Sequence, residues 1–138
     1  MSTFCEDRIC VVTGAGRGIG REYAFMLAAH GAKVVVNDFG GARDGTGSDM
    51  GPADEVVAEI EAAGGQAVAN GADVSDFQQA KQMIEQAVDT YGGLDVVVNN
   101  AGILRDRMLV NMKEEEWDAV IQVHMKGTFA PAHHAGAY

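Results

Sequence analysis

The sequence predicts an α/β fold in which a doubly wound parallel sheet of about four strands, ordered 3-2-1-4, is flanked by helices. Three observations predict it: short apolar runs alternate with helix-like runs, a glycine-rich turn follows the first apolar run, and an acidic residue follows the second. Strands that alternate with helices are joined by right-handed crossovers and lie parallel. The length suits a single domain, to which we assign residues 1–138.

Four apolar runs are the expected strands, at residues 9–12, 33–37, 66–70 and 94–98. The first run is continuously apolar, and the central residues of the second and the last three of the fourth are apolar as well, so we expect these strands to be covered on both faces of the sheet. The first helix carries large apolar side chains every three to four residues, and we expect this face to pack on the sheet. Its members are Ile19, Tyr23, Met26 and Leu27.

Two further helices carry explicit expectations. Ser75 and Gln78 have the spacing of a capping box at the start of the third helix. That helix should bury five apolar side chains, which are Phe77, Met83, Ile84, Ala87 and Val88. The last helix is expected to run over residues 114–138 with a kink at Pro131, because proline disrupts a helix interior.

A glycine-rich turn at residues 13–20 joins the first strand to the first helix. Its glycines at positions 14, 18 and 20 have the spacing Gly-x-x-x-Gly-x-Gly. Glycine lets the backbone turn sharply and approach a ligand, and the start of a helix offers N–H groups to an anion. The turn predicts the phosphate cradle of a Rossmann-type domain, although a glycine turn after a strand can also be no more than a turn.

Asp38 directly follows the second strand, where an acidic side chain can accept hydrogen bonds from the adenosine ribose of a dinucleotide. A phosphate on that ribose would lie beside the carboxylate. Two like charges about 4 Å apart repel by about 4 kcal/mol at an effective dielectric of about 20. Asp38 therefore favours NAD over NADP. Arg17 argues the other way, because a basic residue in the cradle could reach a 2′-phosphate.

The glycine turn, Asp73-Val74 and Asn99-Asn100-Ala101-Gly102 stand at separations that resemble those of the short-chain dehydrogenase/reductase family. The resemblance covers the whole chain. The runs 37–41 and 101–107 resemble more narrowly the 3-hydroxyacyl-CoA dehydrogenase domains of peroxisomal-type multifunctional enzymes and their bacterial relatives. It implies a nicotinamide-dependent oxidoreductase acting on the secondary alcohol or ketone of a small-molecule substrate.

The resemblance also implies a role for each matching residue. The pyrophosphate region would be held by Gly14, Arg17, Gly18, Ile19 and Gly20. Asp38 would bind the ribose and Asp73 and Val74 the adenine, while Asn100, Ala101 and Gly102 would line the cofactor. Asn99 would tie the fourth strand to its neighbours. Asp73 could instead serve only the turn before the third helix, and Asn99 and Asn100 could be ordinary polar residues at a strand end.

The sequence departs from the family pattern in two places. His124 occupies the position of the usual catalytic asparagine, where it could relay a proton or simply pack in the helix. The family's serine and its tyrosine with a lysine four residues later are absent from the 138 residues. We therefore expect the N-terminal part of an enzyme, with a missing C-terminal half, and expect this chain alone to be inactive. The alternative is a non-catalytic nucleotide-binding or interaction module.

Composition narrows the remaining classes. A net charge of −10 argues against nucleic acid as a partner, and no apolar run is long enough to span a membrane. Cys5 and Cys10 suggest neither a disulfide framework nor a metal site. His133 and His134 are adjacent on a helix and point apart, so no metal is expected there. We predict a cytoplasmic protein that forms a homo-oligomer through its last helix.

Overall fold

The computed structural model describes residues 3–41, 46–47, 49 and 51–138. Its sheet contains four parallel strands, β1 (Ile9–Val12), β2 (Lys33–Asn37), β3 (Gln66–Asn70) and β4 (Val96–Val98). Their order is β3-β2-β1-β4, which confirms the predicted topology. Of the long loop expected after Asp38, residues 42–45, 48 and 50 lie outside the described part of the chain.

Within the described ranges, five α-helices connect or follow the strands: α1 (Gly18–Ala29), α2 (Gly51–Ala62), α3 (Phe77–Tyr91), α4 (Glu114–Ile121) and α5 (Gly127–Ala135). A 3₁₀ turn, Leu109–Asn111, precedes α4. Among the described residues, none of the helices is long and apolar enough to cross a membrane.

Two hydrophobic cores lie on the two faces of the sheet. Successive side chains of a strand point to opposite faces. Cys10 and Val12 accordingly join the core that α1 and α2 cover, whereas Ile9 and Val11 join the core that α3 covers. Strands β1 and β2 are buried on both faces, as their apolar sequences predict. Edge strand β4 is different, because its Val96 is 38% exposed.

The expected packing face of α1 is wrong for three of its four residues, and only Leu27 packs against the core as predicted. Ile19 and Met26 are 65% and 49% exposed, and Tyr23 is also exposed. The residues of α1 that are buried against the sheet are Gly20, Ala24 and Ala28. These small residues let the helix lie close to the strands, so the contact is made by a stripe that a search for large apolar side chains overlooks.

The predicted start of α3 needs two corrections. Asp76, not Ser75, is the N-terminal cap, and its side chain accepts a hydrogen bond from the backbone N–H of Gln79 at 2.9 Å. Phe77 is 40% exposed because it stacks against Phe129 of α5 outside the core. The deeper positions 83, 84 and 87 are buried as predicted, while position 88 is half-buried.

The last helix is not continuous over residues 114–138. Helices α4 and α5 are separated by a π-helical turn, Gln122–Lys126, and α5 ends at Ala135. Pro131 lies inside α5, so the irregularity is not at the proline as predicted. Four large apolar residues along this segment are exposed, which are Trp117, Ile121, Met125 and Phe129.

Candidate functional site

A cleft of about 520 Å³ opens at the carboxyl ends of the strands. The strand order reverses between β1 and β4, and a crevice at such a point is where ligands bind in open α/β sheets. Nine of the predicted site residues line this cleft: Gly14, Arg17, Gly18, Asp38, Asp73, Val74, Asn100, Ala101 and Gly102. Ile19, Gly20 and His124 are not among its lining residues.

The glycine turn has the left-handed backbone that its residue type permits. Gly14 and Gly18 have φ values of 63° and 60°. A Cβ on Gly14 would lie 2.8 Å from the Cα of Ala101, whereas a Cβ on Gly18 would meet nothing within 4 Å. Gly14 is therefore required for the close approach of the turn to the chain after β4, and Gly18 leaves open space beside the cleft.

The start of α1 is not capped by its own side chain. Arg17 is the N-terminal cap residue, and it makes no side-chain capping hydrogen bond. The first N–H groups of a helix have no partner within the helix, and they carry a partial positive charge. These groups suit the binding of an anion such as a diphosphate.

Asn100 and Thr13 hold the cradle against the chain that follows β4. The Asn100 amide donates from Nδ2 to the carbonyl oxygens of Thr13 and Gly14, at 3.1 and 3.2 Å. In return, Thr13 Oγ1 accepts from the backbone N–H groups of Asn100 and Ala101, both at 3.0 Å. Asn100 therefore makes the ties that the sequence assigned to Asn99, whose side chain is exposed.

Asp38 lies on the cleft with both carboxylate oxygens hydrogen-bonded to backbone. Oδ2 accepts from the N–H of Gly16 at 2.8 Å, and Oδ1 accepts from the N–H of Gly40 at 2.6 Å. A Cβ on Gly16 would come within 2.8 Å of both Asp38 Oδ2 and Pro52 Cβ. The carboxylate thus fixes the glycine turn and its own loop at one place.

Asp73 is oriented by the residues at the start of α3. Its Oδ1 accepts from the backbone N–H and from the hydroxyl of Ser75, at 2.9 and 2.7 Å. Its own N–H donates to Gln79 Oε1 at 2.9 Å. Ser75 Oγ in turn accepts from Gln122 Nε2 at 3.2 Å, which connects this segment to the π-helical turn.

The cleft has both signs of charge. Arg17 lies on the cleft and donates from Nη1 to the carbonyl oxygen of Gly41 at 3.2 Å, so its guanidinium extends towards the loop after Asp38. Arg105 also lines the cleft. The described residues contain no group of three or more His, Cys, Asp or Glu side chains arranged to hold a metal ion.

His124 lies in the π-helical turn, against the chain after β4. Its Nε2 is 3.0 Å from the carbonyl oxygen and 3.2 Å from the backbone nitrogen of Ile103, so the ring tautomer decides whether it donates or accepts there. A Cβ on Gly102 would lie 2.6 Å from the His124 ring. The imidazole is thus beside, and not within, the cleft.

The sequence reasoning missed four residues that build the site. Thr13 supports Asn100, and Ser75 orients Asp73. Asn37, which lines the cleft, and Asn70 form a side-chain hydrogen bond of 2.8 Å. One signal was available, because polar residues at the ends of otherwise apolar parallel strands face the crevice where ligands bind.

Comparison with known proteins identifies the family to which this chain belongs. The family model described as short chain dehydrogenase matches residues 8–137. Hydroxyacyl-CoA dehydrogenase ChsB1 of Mycobacterium tuberculosis is 50% identical over 99% of this chain and 42% of its own length. Peroxisomal multifunctional enzyme type 2 of Drosophila melanogaster is 52% identical over 90% of this chain and 20% of its own length.

Two solved structures extend the comparison. A short chain dehydrogenase from Mycobacterium avium is 58% identical, with a TM-score of 0.89 over 97% of this chain and 46% of its own. One from Burkholderia cenocepacia, in complex with NADP, is 33% identical, with a TM-score of 0.86 over 97% of this chain and 51% of its own. The chain thus spans about half the length of these two structures and less than half the length of the two curated relatives. It belongs to the short-chain dehydrogenase family.

Proposed function

We propose that these 138 residues form the cofactor-binding part of an NAD-dependent oxidoreductase that acts on a secondary alcohol or ketone. The observation that carries the proposal is the convergence of the glycine turn, Asp38, Asp73 and the segment after β4 on one cleft. The similarity to hydroxyacyl-CoA dehydrogenases supports a 3-hydroxyacyl-CoA as the substrate class.

The residues that line the cleft fit a dinucleotide whose adenosine lies at Asp38 and Asp73 and whose nicotinamide lies beyond Ala101 and Gly102. The uncapped start of α1 and the open space at Gly18 suit the diphosphate. Asp38 would accept from the adenosine ribose, and Asp73 would accept from the adenine amino group through the carboxylate oxygen that Ser75 does not engage. Ala101 and Gly102 would then line the path to the nicotinamide, which supplies the hydride chemistry.

Asp38 is the basis for proposing NAD rather than NADP. Its carboxylate is held in place by two backbone N–H groups, so it cannot turn away from a 2′-phosphate without losing those bonds. Repulsion of about 4 kcal/mol corresponds to roughly a thousandfold in affinity. Arg17 would offset part of this, and a Burkholderia cenocepacia relative is in complex with NADP.

The cofactor is tested by calorimetry of the 138-residue chain with NAD and with NADP. We expect NAD to bind at least about tenfold more tightly, which is about 1.4 kcal/mol. Asp38→Asn should narrow that ratio, and Asp89→Asn, which changes an exposed carboxylate far along α3, should leave it unchanged. Equal binding of the two cofactors by the wild-type chain would exclude the NAD assignment.

Turnover is proposed to need residues beyond these 138. No tyrosine in the sequence is followed four residues later by a lysine, so the family's proton-transferring pair is not present. His124 would position the chain at Ile103 or relay a proton there. We expect no NADH formation with a 3-hydroxyacyl-CoA from this chain, and formation from a fusion to the remaining part of hydroxyacyl-CoA dehydrogenase ChsB1.

A non-catalytic nucleotide-binding or interaction module remains the second candidate. The exchange of the usual asparagine for His124 favours it, because the ring is bonded to backbone at Ile103. If the fusion binds NAD and forms no NADH, and His124→Asn does not restore turnover, this candidate replaces the enzyme.

We also propose that the exposed apolar residues of α4, the π-helical turn and α5 are covered by a second copy of the chain. Trp117, Met125 and Phe129 are each more than half exposed, which is unusual for so many large apolar side chains on one segment. Sedimentation should show a dimer or larger species that Met125→Lys dissociates. The two unpaired thiols, at Cys5 and Cys10, suit a reducing compartment, and the cytoplasm stays our prediction.

A further inference from the structure

Two asparagines meet at the adenosine end of the cleft, where Asn37 is a lining residue and Asn70 lies behind it. Asn37 and Asn70 are the last residues of β2 and β3 and lie opposite each other in the strand register. Asn37 Nδ2 donates to Asn70 Oδ1 at 2.8 Å and to the carbonyl oxygen of Ala72 at 3.0 Å. We call Asn37 and Asn70 the asparagine junction.

Backbone partners fix how both amides are turned. The N–H of Ala72 donates to Asn70 Oδ1 at 2.9 Å, so this atom must be the oxygen. Asn70 Nδ2 then faces Gln86 Oε1 at 2.8 Å, and Gln86 Nε2 donates to the carbonyl oxygen of Ala69 at 3.1 Å. The network is complete, since the described residues contain no buried side-chain nitrogen or oxygen without a partner.

Three segments of the cofactor site are attached to this junction. The glycine turn is held by the N–H of Ala15, which donates to the carbonyl oxygen of Asn37 at 2.8 Å. Asp38 is held by its N–H, which donates to the carbonyl oxygen of Asn70 at 2.9 Å. The segment that leads to Asp73 is held at both polar groups of Ala72.

The asparagine junction also holds a segment that lies outside the β2–β3 ladder. The β2–β3 ladder ends at Asn37 and Asn70, and the chain at Ala72 and Asp73 has already left it. The backbone N–H groups of Ala72, Asp73 and Ser75 each donate to a side chain. The position of this segment therefore depends on side-chain amides and carboxylates, with Asn70 first in the series.

We propose that the asparagine junction positions the adenosine-binding half of the site, so that Asn70 sets cofactor affinity without touching the cofactor. The inference rests on the proposed function. Asn37 is 1% exposed, and a buried amide costs free energy unless all its hydrogen bonds are made. Loss of Asn70 removes the acceptor of the Ala72 N–H and leaves the Asn37 amide short of an acceptor, so that one of the two bonds that hold Ala72 is lost and Asp73 is displaced.

The test is calorimetry with NAD and with ADP-ribose on the 138-residue chain and its Asn70→Ala variant. We expect the Kd of both ligands to rise about tenfold or more and by the same factor, because both carry the adenosine half. Asn70→Asp keeps an acceptor for Asn37 and Ala72 but loses the donor to Gln86, so its Kd should rise by a smaller factor than that of Asn70→Ala.

A control variant that also loses stability distinguishes the proposed positioning role of Asn70 from a purely structural role. Ile60→Val removes one methylene from the core on the other face of the sheet, which α1 and α2 cover, and should lower stability while leaving both Kd values unchanged. In an Asp73→Ala background, Asn70→Ala should lose most of its effect, because the group it positions is gone. If Asn70→Ala does not fold, Gln86→Ala removes the partner that orients Asn70 and should weaken NAD at least threefold.

The outcomes distinguish this inference from the proposed function. No binding of NAD by the folded wild-type chain would refute both. Binding by the wild type with an unchanged Kd in Asn70→Ala, or in Gln86→Ala where the first variant does not fold, would refute the junction alone. An equal loss of affinity in Ile60→Val would also overturn it, because the effect would then follow stability and not position.

Discussion

Substituting the two glycines at positions 18 and 64 separates the conformational role of a glycine from its role in ligand binding. Both have positive φ, 60° and 90°, and a Cβ on either would meet nothing within 4 Å. Gly18 lines the cleft, and Gly64 ends α2 on the surface. Gly18→Ala and Gly64→Ala therefore carry the same kind of backbone penalty and differ in what lies beyond the added methyl group.

The size of that penalty follows from the backbone. The left-handed region costs a non-glycine residue about 1–2 kcal/mol. The gain from a less flexible unfolded chain is about 0.4–1 kcal/mol and offsets part of it. We expect each variant to lose roughly 1 kcal/mol of unfolding free energy, measured by urea denaturation. Neither has a clash to add, since the space beside each Cβ is open.

Affinity should separate the two variants. The methyl group of Gly18→Ala would enter the space we assign to the diphosphate and push it from the N–H groups of α1, so the Kd for NAD should rise at least about tenfold, or about 1.4 kcal/mol. Gly64→Ala should bind NAD as the wild type does. Wild-type affinity in Gly18→Ala would refute the assignment of this space to the cofactor.

Three further predictions concern stability. Gly14→Ala adds to the same backbone penalty a contact of 2.8 Å with Ala101 Cα, so urea denaturation should show a loss greater than that of Gly64→Ala, by about 1 kcal/mol or more. Burial raises the pKa of the Cys10 thiol from 9.0 to about 11, so the thiol of the unfolded chain ionises at a lower pH than that of the folded chain. The contribution of this thiol to the free energy of unfolding is therefore complete below pH 9 and falls by roughly 2 kcal/mol as the pH rises towards 11. The fall is measured relative to Cys10→Ala across the same pH series. Arg107→Ala leaves the carboxylate of Glu116, 8% exposed, without its 2.9 Å partner and should cost about 1–3 kcal/mol in thermal or urea unfolding, a loss that Glu116→Gln in the same chain should reduce.

The sheet and the cleft were predictable because their signals are local. An apolar run of four or five residues between turn signals identifies a buried parallel strand, and the glycine turn identifies which strand comes first. Once the strand order is known, the residues that follow each strand must meet at one edge. Asp38 was found in this way, whereas Asp73 and Asn100 were assigned from the family resemblance, and all three line the cleft.

The contact made by α1 was only partly predictable from large apolar residues, of which Leu27 alone among the four predicted packs against the core. Gly20, Ala24 and Ala28 recur every four residues and face the sheet. A Cβ on Gly20 would overlap the carbonyl oxygen of Gly14 and the amide of Asn100, so the helix start lies against the cradle itself. A stripe of small residues on a helix that follows a glycine turn indicates close approach, and large residues such as Ile19 then remain outside.

The asparagines at the adenosine end of the cleft were missed for a different reason. Asn37 and Asn70 are each the last residue of a strand, and the sequence around one of them does not indicate that it pairs with the other. Their side chains can bond to each other only because the strand register places them opposite each other, and that register is a property of the tertiary structure. The sequence shows polar residues at strand ends, and the structure shows that these two amides share a hydrogen bond.

The break in the last helix is explained by contacts and not by Pro131. Two lining residues of the cleft, Ile103 and Val74, contact the π-helical turn and the residue directly after it. His124 bonds to the backbone of Ile103, and Gly127 packs so closely on Val74 that a Cβ there would lie 2.8 Å from Val74 Cγ2. In a regular α-helix each residue advances the phase by about 100°.

Residues 124 and 127 would therefore be separated by about 300° in a regular helix, and the wider π-helical turn changes that angle while both contacts are kept. Gln122 adds a third attachment, from the same turn to Ser75. The turn thus touches the segment after β4 and the segment that carries Asp73. Because it is fixed by the two ends of the cleft, its place in the helix follows from the site, and a search for helix-breaking residues could not have found it.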